Sequence, residues 1–162
     1  MKFVKLAKII VIAAVLFAAI IPAFADTTAS LTLSGIVAKS ASISVVAAPG
    51  ASNLSLTSTP SSPVTVATVT EICNSTSGYT VTVASANSGN LKGAISGNTD
   101  AVAYTLYQNG SAVTLSSSAA TMLTASSKTT GTSQTLTINY AGNSSLAADT
   151  YSDTLTFTIA AL

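Results

Sequence analysis

The sequence predicts an all-β protein built as a two-sheet sandwich. Three observations carry the prediction. Apolar residues alternate with Ser and Thr at a period of two over most of the chain, as half-buried strands require. No segment sustains a helical period. Turn signals then cut the chain into eight or so short strands, which is the spacing of a sandwich.

The first residues stand outside this fold. Lys2, Lys5 and Lys8 precede an apolar run over 9–21, and Pro22 and Ala23-Phe24-Ala25 follow. This is the layout of a secretory signal over 1–25, with cleavage expected after Ala25. The apolar run is short for a bilayer span of about 20 residues, so the mature form is expected to have no membrane segment. No cysteine follows the run, which argues against a lipid anchor.

Residues 26–37 form the expected N-terminal extension. Ala29, Leu31, Leu33 and Val37 fall on one parity, while Thr28, Ser30, Thr32 and Ser34 fall on the other. A free end that reads as a good strand needs a sheet edge to pair with. The edge of the next copy would make it a donor strand, and an edge of its own domain would make it an ordinary first strand.

The body is expected over 38–162. A strand is read over 36–46, with Ala41, Ile43 and Val45 inward, and Pro49-Gly50 breaks it. A short strand over 53–58 carries Leu54 and Leu56. The next runs over 64–72 with a parity slip near Ala67, the mark of a bulge. Residues 74–78 read as a tight turn joining it to a strand over 79–86 in a hairpin. The stretch 87–99 is rich in Asn, Gly and Ser, with Leu91 and Ile95 as apolar plugs. Val102, Tyr104 and Leu106 begin another strand. Asn109-Gly110 then marks a type I′ hairpin turn, with Val113 and Leu115 on the returning arm. Residues 116–131 read as polar loop, broken by Met122 and Leu123. Leu136, Ile138 and Tyr140 mark a further strand. The last runs over 150–160, with Tyr151, Leu155, Phe157 and Ile159 inward and Asp153 on the same parity.

Composition narrows the function. The part after the leader, roughly 137 residues, is long enough for one domain with a core. Its three lysines oppose five carboxylates, a net formal charge of −2, and it has no Arg, His or Trp. Phosphate binding needs a cationic face, so nucleic acid is a poor partner. So few charges suit a subunit packed into an assembly better than a soluble monomer. Without His there is no Ser-His-Asp or Cys-His arrangement, so no catalytic residue is expected. Neither His nor Cys clusters exist, so no metal site or cofactor is expected. Asp149 could hold calcium with loop carbonyls, but a turn aspartate is the plainer reading. The lone Cys73 cannot form an internal disulfide and reads as a small buried side chain. Four Asn-x-Ser/Thr matches carry no weight in so Ser/Thr-rich a chain.

Three stretches resemble a known group. They are Leu31-Thr32-Leu33-Ser34-Gly35-Ile36-Val37-Ala38, then Val69-Thr70-Glu71-Ile72-Cys73-Asn74 leading through Gly78-Tyr79-Thr80-Val81-Thr82-Val83, and finally Leu146-Ala147-Ala148-Asp149-Thr150-Tyr151-Ser152-Asp153-Thr154-Leu155-Thr156-Phe157-Thr158-Ile159. Together they resemble bacterial chaperone–usher fimbrial (pilin) subunits and the related spore coat protein U-like domains. The resemblance implies an immunoglobulin-like sandwich that lacks one strand. A periplasmic chaperone supplies that strand first, and the N-terminal extension of the next subunit supplies it afterwards, once the subunits pass an outer-membrane usher. Carried onto this chain, Ala29, Leu31, Leu33 and Val37 would be the donor residues. Tyr151, Leu155, Phe157 and Ile159 would line the acceptor groove. The implied product is a cell-surface fimbria made of copies of this chain or related subunits, exported through the periplasm, with a role in adhesion. Many such subunits pair an early cysteine with a second one, but Ala41 stands near that position here. Two other functions stay open at this point: a coat or surface-layer protein with a self-complete sandwich, and a carbohydrate-binding module using Tyr107.

Overall fold

The structure is a computed structural model that describes residues 27–162. The expected leader over 1–25 and Asp26 lie outside the described residues. The chain separates into two compact units, Met1–Ile36 and Val37–Leu162. In the first, residues 27–36 carry no helix or strand, and Leu31 and Leu33 are 84% and 85% exposed. The second unit holds ten strands.

These strands are β1 (Ala41–Ala47), β2 (Val64–Cys73), β3 (Tyr79–Ser85), β4 (Asn90–Gly93), β5 (Ala101–Gln108), β6 (Ser111–Val113), β7 (Ala120–Ala125), β8 (Thr129–Tyr140), β9 (Tyr151–Ser152) and β10 (Leu155–Ala161). One sheet has seven strands in the order β1-β2-β8-β5-β4-β9, with β6 paired to β5, and the other has three in the order β10-β3-β7. All pairings between them are antiparallel. The architecture is an all-β sandwich of the immunoglobulin-like kind. Its main core packs Ala67, Val69, Leu136 and Ile138 of the large sheet against Val83 of the small one. A second cluster gathers Cys73, Tyr79 and Val81.

Several expected elements fall where the alternation puts them. The parity slip near Ala67 is a register shift between Thr65 and Ala67 in the β2–β8 pairing. Asn109-Gly110 joins β5 to β6 with φ of 47° and 86°, and Gln108 pairs with Ser111. Both central residues have the positive φ that a type I′ turn demands.

Other expectations are corrected. The first strand begins at Ala41, not near Ile36, because the backbone before it is held by a side chain. Asn74 Oδ1 accepts from Ser40 N at 2.7 Å, and Asn74 Nδ2 donates to Ala38 O at 2.8 Å. Residues 53–58 form irregular backbone and a turn rather than a strand. Their polar groups meet the 140–143 segment instead of a ladder: Asn143 N donates to Leu56 O and Tyr140 OH to Ser55 O. Leu54 and Leu56 still pack on the core. Residues 74–78 do not make a hairpin. Both edges of β2 are occupied, by β1 and β8, so the turn carries the chain across to the other sheet. Leu91 is buried as expected but sits in a strand, β4, while Ile95 is exposed. The stretch 116–131 contains β7 and the start of β8. Of the returning arm, Val113 lies in β6 and Leu115 lies beyond it.

The expected last strand is two strands in different sheets, parted at Asp153. Asp153 Oδ2 accepts from Ser85 Oγ and from Tyr104 OH, each at 2.6 Å. Its Oδ1 accepts from the backbone of Asn87 at 2.9 Å and of Thr154 at 2.7 Å. Tyr104 belongs to the large sheet and Ser85 to the small one, so one carboxylate fixes the point at which the chain crosses. Burial pushes the Asp153 carboxyl up, but these donors outweigh it and hold the group below its ordinary 3.8. Tyr104 moves the other way, raised far above 10.0 by burial and then by its bond to Asp153.

Two predictions follow from the fold. Gly78 and Gly97 both have positive φ, at 92° and 90°. A Cβ on Gly78 would stand 1.9 Å from Ala125 O, whereas one on Gly97 meets nothing within 4 Å. Gly97→Ala should cost about 1–2 kcal/mol from backbone strain alone, and Gly78→Ala about 3–4 kcal/mol, both read from urea denaturation midpoints. Asp153→Asn should cost about 1–2 kcal/mol, since the amide cannot serve all four donors. Because the folded-state pKa of Asp153 is depressed, its contribution is present above pH 3.8 and is lost as pH falls through the folded value. The variant should therefore show a shallower acid limb in denaturation measured against pH.

Candidate functional site

The site is a groove between two strand edges of the second unit. β10 pairs with β3 along its whole length, from Leu155↔Ser85 to Ala161↔Tyr79. It pairs with no strand on its other side among the described residues. β1 is likewise an edge of the large sheet and, among the described residues, pairs with β2 alone. The alternation of Thr and apolar residues puts Leu155, Phe157 and Ile159 on one face of β10, each half-buried. The two edges close together at one end. There Ala41 and Ile43 of β1 and Ile159 and Ala161 of β10 pack on Cys73, Tyr79 and Val81.

Further along β1 the cover ends. Val45 has the inward parity of Ala41 and Ile43, and its cross-strand partner Val69 is 0% exposed. Val45 is nevertheless 45% exposed. At the far end, near the start of β10, lies a pocket of about 130 Å³ lined by Leu54, Val66, Leu91, Tyr104, Ile138 and Leu155 among others. Its lining is apolar apart from the Tyr104–Asp153 pair. The groove thus offers an unpaired backbone edge beside apolar side chains, which is the surface that an added strand would complete.

Of the residues assigned to an acceptor groove from sequence, the structure brings Leu155, Phe157 and Ile159 together. Tyr151 sits apart, on β9 at the far edge of the large sheet. Its hydroxyl donates to Ala147 O at 2.9 Å and accepts from Asn98 Nδ2 at 3.2 Å. Of the residues assigned to the donor, Ala29, Leu31 and Leu33 lie in the first unit and Val37 opens the second. Sequence reasoning missed Val45, Leu54 and Leu91 as groove residues. Val45 was visible as an inward position, but its exposure follows from the small sheet's width, which no pattern reports.

Among the described residues, the remaining carboxylates are occupied in loop structure or buried. Asp149 accepts from Asn98 Nδ2 at 2.7 Å, Ile95 N at 2.9 Å and Thr150 N at 2.7 Å. The Asn98 amide, with these backbone donors, holds its pKa below 3.8. This is how a turn-organising aspartate is bonded. Among the described residues no three His, Cys, Asp or Glu side chains converge as metal ligands. Cys73 is buried, with Sγ accepting from Ser75 N and donating to Gly78 O. Glu71 is wholly buried on β2, and neither of its oxygens has a hydrogen-bond partner. Tyr107 is half-buried on β5. Among the described residues no helix is long and apolar enough to cross a membrane.

A search of curated proteins finds no match. A family model described as the Spore Coat Protein U domain matches residues 25–158. That span takes in every strand from β1 to β9, most of β10, and residues 27–36 ahead of them. With the two-sheet architecture and the terminal strand alternation already described, the match settles the grouping: this chain belongs to the Spore Coat Protein U domain family.

Proposed function

We propose that this protein is a structural subunit of a cell-surface fimbria or coat that polymerises by donor-strand exchange. Family membership supports a surface structural role. The finer reading rests on one observation: the inward-facing Val45 is half uncovered, and β10, which meets β1 at Ile43, has no strand on its outer edge among the described residues. An extended segment with apolar residues on one parity would pair with β10 and cover Val45. Residues 28–37 of a second copy have that pattern, through Ala29, Leu31, Leu33 and Val37. Burying three or four such side chains contributes about 1.5–3 kcal/mol each, and each ladder hydrogen bond adds about 1 kcal/mol net. The total is comparable with the whole stability of a domain, about 5–15 kcal/mol. Before assembly the bare edge is an aggregation hazard, which gives a periplasmic chaperone and an outer-membrane usher a physical role. Export behind a leader over 1–25 and a part in adhesion belong to the same proposal, as does the absence of catalysis.

The test uses the mature protein with Leu31 and Leu33 both changed to Asp. Unmodified protein should give ladders on gels that resist detergent until heated, and fibres by electron microscopy. The double variant should give neither, because burying two carboxylates in an apolar groove costs several kcal/mol. Its urea midpoint as a monomer should match the unmodified monomer. A variant that assembles as well as the parent, or a parent that stays monomeric at high concentration, overturns the proposal.

A further inference from the structure

Glu71 is the sole glutamate of the chain, and nothing in the groove uses it. It sits on β2 between Val69 and Cys73 with its side chain on the inward face. In register it stands beside Ile43 of β1 and Thr132 of β8. It is 0% exposed, and both carboxylate oxygens lack a hydrogen-bond partner. The groups that face it are few. β2 itself brings Cys73, β3 brings the Tyr79 phenol, β8 brings the uncharged Thr132 and Gln134, and β1 brings only Ile43. No cation is among them. The Gln134 amide and the backbone of Glu71 itself lie close enough to favour the ionised form, less than burial opposes it, but outside hydrogen-bond geometry.

A buried carboxyl with no cation beside it and no hydrogen bond is tolerated far better with its proton than without. We propose that Glu71 is a proton switch in the core, keeping the sandwich tight while protonated and loosening the junction of β1, β2 and β3 when it ionises. This goes beyond assembly and holds for the single subunit. Burial raises the Glu71 pKa from its ordinary 4.5. The folded form therefore binds this proton more tightly than the unfolded chain does. Its stabilising effect is complete below pH 4.5 and is lost as pH rises through the folded-state value, by at most about tenfold in the folding constant per pH unit. This is the reverse of Asp153, so the body should be most stable in mild acid. The chain has no histidine, so few other side chains titrate between about pH 5 and 7 to mask the effect.

The sole glutamate makes the test direct. Whole protein labelled with ¹³C-glutamate has one side-chain carboxyl resonance, to be titrated while the protein stays folded. In parallel, urea midpoints are compared between the unmodified protein and Glu71→Gln from about pH 4.5 to about pH 9. The expected result is a resonance that titrates above 4.5, a parent midpoint that falls with rising pH, and a variant midpoint that stays level and exceeds the parent's at the alkaline end. A resonance that titrates at or below the ordinary value overturns the proposal, as does a variant that tracks the parent across the range. If Glu71→Gln does not fold, the titration of the unmodified protein decides alone.

Discussion

A sandwich is stable only where each sheet covers the other, and here seven strands face three. The small sheet, β10-β3-β7, is too narrow to roof the large one from β1 to β9. Much else follows from that mismatch. Where β3 lies overhead, Val69 and Leu136 are fully or almost fully buried, as are Val81 and Val83 of β3 itself. Where the roof stops, Val45 stays half open despite its inward parity. The loop carrying Leu54 and Leu56 bends in to cover part of the gap and is tied down through Asn143 N and Tyr140 OH. Among the described residues, an edge strand with unpaired backbone beside apolar side chains is what remains.

Polar groups do the routing that the apolar pattern leaves undetermined. Asp153 gathers donors from both sheets and so sets where the chain leaves one for the other. Asn74 plays the corresponding part at the opposite end, imitating a strand partner for residues 38–40. Glu71 is the exception, a polar group inside with nothing to bond. Its surroundings make charge expensive there, while those of Asp153 make charge favourable. The two acids thus respond to protons in opposite senses within one small body.

The fold class and most strands were legible because Thr and Ser alternate with apolar residues so regularly. The bulge near Ala67 and the Asn109-Gly110 turn were legible because each depends on local backbone chemistry. What stayed hidden was which sheet a strand joins. Residues 74–78 read as a hairpin turn, and only the occupancy of both edges of β2 shows that they make a crossover. The run 150–160 reads as one strand because Asp153 keeps the parity while breaking the ladder. β7 was missed because its sequence, Ala-Thr-Met-Leu-Thr-Ala, has weak contrast, and its pairing with β3 slips between Val81 and Thr82. The shared face of Leu155, Phe157 and Ile159 was legible from alternation, whereas Tyr151, on the same parity, lies on β9 in the other sheet.

The lone sulfur adds a last consequence. Cys73 is sealed under β3 at the corner where β2 ends, with no second cysteine to pair with it. No covalent staple holds this body, so reducing agents have nothing to cut and its cohesion is wholly reversible. An alkylating reagent can reach that thiol only when the corner breathes. The side chain therefore serves as an internal clock for local opening, placed by nature two residues from Glu71.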